Sequence, residues 1–279
     1  MSTRILVLDP LTLIGREFLA GLGQIETVGN IEFMHSEADD EHQIAELGTG
    51  PALAAPLTDA DALADHDLVV VASDQISSRH DHLLDHLEQY PDAAVLDLSR
   101  LAILDDVVQP ATGLDELPSR RLRVTHPVVT AAAIVLEALQ GTGNFSGSLV
   151  AFDPASIYGR EAVELLVQQA AKRLQGGTVE DLIHGHLLAF NVVMADPSGL
   201  QAEASQVLPD VPLAVNRFVT GSFHGHQAIL ALTTDEPTDS HDLEAALGHW
   251  ERIDLAGAEL GLDSIPDTDF VRVAPPSVS

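Results

Sequence analysis

Ile5-Leu6-Val7-Leu8-Asp9-Pro10-Leu11-Thr12-Leu13-Ile14-Gly15-Arg16-Glu17-Phe18-Leu19 decides the fold. Ile5 to Leu8 is an uninterrupted apolar run, which reads as a strand buried on both faces; a solvated face would put a polar residue at every second position. Pro10 breaks the run, and Gly15 to Leu22 continues with helical spacing. Strand, tight turn and helix open a βαβ unit, and the pattern repeats. Ile31 to His35, Leu68 to Ala72 and Ala94 to Leu98 are further short apolar strands, with Ser78 to Gln89 helical between the last two. This alternation predicts an α/β fold with a doubly wound parallel sheet.

From about Leu122 the texture changes. Thr130 to Leu139 reads as a helix, followed by the turn Gly141-Thr142-Gly143-Asn144, a strand from Gly147 to Phe152 and a long helix from Gly159 to Leu174. Later strands fall near Val215 to Phe223 and Gln227 to Thr233. These longer strands suit antiparallel pairing, so a second α/β domain with a mixed or antiparallel sheet is expected, with units at 1–124 and 125–245 and a tail at 246–279. The Pro-, Asp- and Ser-rich stretch from Ser264 is expected to be irregular. In the long helix, Ala162, Leu165, Leu166, Ala170 and Leu174 follow helical spacing and read as core or dimer surface.

Composition narrows the function classes. No apolar stretch approaches the roughly 20 residues that a membrane-spanning helix needs, and Met1 to Leu8 reads as a strand rather than a signal peptide, so a cytoplasmic protein is expected. The 13 basic and 43 acidic residues leave a formal charge of −30, which repels nucleic acid and anionic membranes. Lys172 is the sole lysine. Such acidity suits either plain solubility or a high-salt cytoplasm. Cysteine is absent, so no thioester can form and any metal site would use only nitrogen and oxygen. His184-Gly185-His186 and His224-Gly225-His226 would each place two imidazoles on one face of a strand. Chance competes strongly among 13 histidines, however, and no metal is expected. His82 and His86 read as a solvated helix face, and Ser156, lacking a G-x-S-x-G elbow, as a residue leading into a helix.

Taken in order, ILVLDPLTLIGREFL (5–19), Val69 to Ser73, VLDLS (95–99), Val124 to Leu139, GREAVELLVQQAAKRL (159–174), LAFNV (188–192) and FHGHQA (223–228) resemble the aspartate-semialdehyde dehydrogenase family, and more closely its Usg-like branch. The resemblance covers most of residues 4–240. It implies a Rossmann-type NAD(P)-binding domain, then a dehydrogenase dimerisation and catalytic domain, a homodimer, and NADP-dependent chemistry on an aldehyde or acyl-phosphate. Carried over by position, the family's cysteine nucleophile falls at Val128 and its active-site glutamine at Asp153. Its substrate-binding arginine falls at Val219, with Arg217 two residues earlier on the same strand face, and its phosphate-binding arginine falls near Ile103, with Arg100 close by. Only the acid/base histidine is kept, as His226.

The glycine-rich phosphate turn of the family aligns with Asp9 to Gly15, so the cofactor-binding positions are Thr12, Leu13, Ile14 and Gly15. Only the last glycine remains there. Asp9 brings a carboxylate to the phosphate side, Pro10 lacks an N–H, and His35 to Glu41 is acidic where a 2′-phosphate would meet Arg or Lys. The expectation is a dimeric binding or regulatory protein for a small anionic metabolite, with catalysis lost and no cofactor required. The alternative is an active NAD(P)-dependent oxidoreductase in which NADP binds, His226 is the acid/base, and Arg217 or Arg100 clamps an anion. A third reading of His226 is that it holds a buried turn. The family also carries a closing helix beyond this chain's Leu255 to Leu262, so a more open interdomain cleft is expected.

Overall fold

The computed structural model describes residues 3–22, 30–37, 41–47, 50–58, 61–74, 79–89, 94–99, 107–108, 120–235, 238–249, 253–255 and 271–273. The N-terminal strands are β1 (Arg4–Leu8), β2 (Asn30–His35), β3 (Gln43–Leu47), β4 (Gly50–Pro56), β5 (Leu68–Val71), β6 (Ala94–Asp97), β7 (Val107–Val108) and β8 (Arg121–Val124). They form one sheet in the order β3-β4-β2-β1-β5-β6-β8-β7. Every pairing is parallel except β3 with β4. Helices α1 (Leu13–Leu22), α2 (Asp61–Ala64) and α3 (His80–Gln89) make the connections. The central strands are apolar on both faces because each face has its own core. Leu6, Leu8, Val69, Val71 and Val95 pack on one side with Leu57, Leu63 and Leu83, while Ile5, Val7 and Val70 pack on the other with Leu19 and Phe33.

The second unit begins with α4 (Pro127–Ala138) and contains β9 (Phe145–Asp153), α5 (Gly159–Leu174), β10 (Val192–Ala195), α6 (Ser198–Val207), β11 (Leu213–Thr220), β12 (Gln227–Thr234) and α7 (Ser240–Gly248). Its sheet runs β10-β11-β9-β12. The sheet is mixed: β9 lies parallel to β11 and antiparallel to β12. On its inner face Leu149 and Ala151 of β9 meet Leu213 and Val215 of β11 under α4 and α6, and α5 covers Val219 at the far end.

Several expectations change. The predicted antiparallel character holds only in part, since the central β9–β11 pair is parallel. Leu174 is exposed, so the apolar stripe of α5 ends before it, whereas Ala162 and Leu166 are core. His86 is buried rather than solvated, and its pKa is lowered by burial and by the nearby positive charge of Arg121; the side chain of His82 lies outside the described residues. The expected irregular tail contains β14 (Val271–Val273), parallel to β13 (Ile253–Leu255). Arg100 and Ile103 lie outside the described residues.

Candidate functional site

Three side chains from separate elements converge on the carboxylate of a fourth residue, Asp153. Asp153 ends β9, Arg217 sits on β11, His226 immediately precedes β12, and His126 is the N-cap of α4. Arg217 faces Ala151 in the parallel register, and Ala151 and Asp153 share the inner face because side chains alternate along a strand. Arg217 Nε donates to Asp153 Oδ2 over 2.7 Å. His226 Nδ1 lies 3.0 Å from Asp153 Oδ1, and His126 Nε2 lies 3.2 Å from the same oxygen. The two imidazoles meet edge to face with centroids 5.0 Å apart. Among the described residues, His126, Asp153 and His226 are the His and Asp side chains close enough together to share an ion.

Protonation follows from these contacts. Burial alone would push the Asp153 carboxyl up, but His126, His226 and Arg217 outweigh it and hold the pKa well below the usual carboxylate range. An ionised carboxylate only accepts, so Nδ1 of His226 carries the proton of this contact. The His226 side chain is 25% exposed. His126 differs. Its Nδ1 accepts the N–H of Val128 over 3.2 Å, capping α4, and its own N–H is bound by buried Glu203 of α6. Tyr158 lies close enough to feel both Arg217 and Asp153, and burial raises its hydroxyl pKa.

The expected positions scatter differently from the prediction. Asp153, Arg217 and His226 come together. Val128 does not join them; it is buried in the core with Val129 and Leu149, and the group that faces His226 is His126. Val219 is likewise core. The two His-Gly-His triplets lie in turns rather than strands: Gly185 and Gly225 have φ of +79° and +86°, and His184 stacks on Tyr158. Two imidazoles per triplet therefore do not share a strand face. His184 and His186 instead border a cavity of about 210 Å³ with Tyr158, Met194 and Asp196.

The β1–α1 turn can be tested against a dinucleotide. Asp9 has φ +60°, an uncommon conformation for a residue with a side chain. Its carboxylate turns inward between the ends of β1, β2 and β5. There Oδ1 accepts the Ser36 N–H over 2.6 Å, Oδ2 accepts the Ser36 hydroxyl over 2.7 Å, and the Ser73 hydroxyl also donates to Oδ2. His80 Nε2 lies 2.8 Å from Ser73 Oγ. Burial opposes the charge of Asp9, yet the bonds from His80, Ser73 and Ser36 lower its pKa. The same charge, after burial, helps raise the Asp74 pKa. Thr12 Oγ1 accepts the Gly15 N–H, taking a donor at the helix N-terminus, and Ile14 is exposed. A fixed negative charge beside a helix end whose Gly15 N–H is already bonded to Thr12 does not suit a pyrophosphate.

No protein-family model and no curated protein matches the sequence. Solved structures do match the fold. A probable aspartate-semialdehyde dehydrogenase from Pseudomonas aeruginosa superposes with a TM-score of 0.74 at 20% identity, covering 92% of this chain and 82% of that one. Aspartate semialdehyde dehydrogenase II from Vibrio cholerae, complexed with ASA, gives 0.74 at 14% identity over 92% and 82%. The fold is that of aspartate-semialdehyde dehydrogenases. The Candida albicans enzyme, solved with NADP, gives 0.60 at 12% identity over 92% and 83%.

Proposed function

We propose that this chain is a Usg-type relative of the aspartate-semialdehyde dehydrogenases that no longer performs their acyl-thioester chemistry and serves as a dimeric, cytoplasmic binding or regulatory protein. The observation that carries the reading is the Asp9 carboxylate locked between Ser36, Ser73 and His80 in the first turn. The absence of any cysteine supports it, because neither imidazole can form the covalent thioester. What remains can bind a small anionic metabolite: the Arg217 side chain is 24% exposed, shares Asp153 with His226 and lies close enough to Tyr158 to act on its hydroxyl.

A homodimer is supported by the outer face of the second sheet. Register places Val192 and Met194 of β10, Phe218 of β11, Phe152 of β9 and Ile229 of β12 on that side. Met194 is 73%, Val192 60% and Ile229 58% exposed, which is a large apolar face to leave in water.

The contact between His226 and Asp153 favours one second reading: an NAD(P)-dependent oxidoreductase on an aldehyde or acyl-phosphate, with His226 as acid/base and Arg217 as anion clamp. An assay of purified protein with aspartate semialdehyde, phosphate and NADP separates the two. The proposal predicts no NADPH above a no-protein control. Turnover that disappears in His226→Ala would establish the second reading instead.

A further inference from the structure

Asp153 Oδ1 is approached by two imidazole nitrogens, His226 Nδ1 at 3.0 Å and His126 Nε2 at 3.2 Å. One ligand atom from each of the three residues lies within 4.8 Å of the other two. Ligands bound about 2.1 Å from one ion stand about 3.0 Å apart at a right angle and about 3.4 Å apart at a tetrahedral angle. Both measured edges fall in that interval. We propose that His126, Asp153 and His226 form a binding site for one divalent transition-metal ion of the zinc class, with at least one coordination position left for water or a ligand atom.

The surroundings are those of a held ligand set. Arg217 fixes the other oxygen of Asp153, leaving Oδ1 turned toward both rings. Glu203 fixes the backbone of His126 from α6. Two nitrogens and one oxygen, with no sulfur, suit zinc, cobalt or nickel, and the 25% exposure of His226 provides a path of entry. Two features oppose binding and set its strength. The positive charge of Arg217 repels the ion, and both rings must move the proton now facing Oδ1 to their other nitrogen. For His226 that nitrogen is free to face solvent; for His126 the move ends the 3.2 Å contact with the Val128 N–H. Affinity therefore falls below that of a closed structural zinc site. No residue of the first turn takes part, so the site stands whether or not a dinucleotide binds.

Chelator-treated full-length protein is titrated with zinc by calorimetry and with cobalt by visible absorption. The expected result is one ion per chain with d–d bands of a nitrogen and oxygen site. His226→Ala should weaken binding at least about 100-fold. His224→Ala, at the exposed end of the same triplet, should leave affinity unchanged. Unfolding curves of the two variants confirm that both are folded; Asp153→Asn gives a second ligand deletion if it folds as well. The proposal is overturned if millimolar zinc gives no saturable heat, if His226→Ala binds as tightly as the unsubstituted protein, or if His224→Ala loses binding equally.

Discussion

Asp153 is the residue on which the candidate site turns, since one buried carboxylate holds Arg217, His226 and His126 in place. Removing it leaves a guanidinium and two rings facing an apolar hole. Asp153→Ala is therefore expected to cost about 3 kcal/mol, read from urea unfolding. The pH dependence has a definite sign. In the unfolded chain this carboxyl takes a proton near pH 3.9, whereas in the folded protein it resists protonation to much lower pH. Its stabilisation is thus complete above the unfolded value and is lost as pH falls below it toward the folded one. Asp153→Asn should flatten the acid limb of a stability profile recorded from pH 5 to pH 2; an unchanged limb would remove Asp153 from the account. Asp153 and His226 were legible through the family resemblance, and Arg217 through strand alternation, which puts positions 217 and 219 on one face. His126 was not, because the helix start was placed at Thr130, although a histidine directly before Pro127 is well placed to precede a first helical turn.

At the level of elements, β1 and α1 show how tightly the turn is made. A Cβ at Gly15 would lie 2.6 Å from the Asp9 carbonyl oxygen and 2.9 Å from Pro10 backbone atoms, so the helix can approach the strand this closely only with glycine. Gly21, in the same helix, has nothing within 4 Å of such an atom. Gly15→Ala should therefore destabilise by about 2 kcal/mol, and Gly21→Ala should stabilise by about 0.5 kcal/mol through helix propensity. Thermal unfolding of the pair tests the packing, and equal shifts would contradict it. The parallel core was legible because continuous apolar runs require two covered faces. The β3–β4 pair was not, since its residues carry no clear alternation, and the parallel partnership of β9 and β11 was hidden because register depends on residues far apart in sequence.

The whole molecule is set by two surfaces, one charged and one apolar. With 13 basic and 43 acidic residues, self-repulsion is severe at low ionic strength. Raising salt from 0.1 M to 1 M shortens the screening length from about 10 Å to about 3 Å, so the unfolding temperature should rise across that range; a flat response would favour plain solubility as the role of the acidity. The apolar outer face of the second sheet predicts a dimer in sedimentation equilibrium, and Met194→Glu with Ile229→Glu should yield monomers. The most direct test of the central claim is calorimetric titration of the purified protein with NADP. The Asp9-filled turn predicts no saturable heat up to millimolar cofactor, whereas saturable binding in the micromolar range would contradict it.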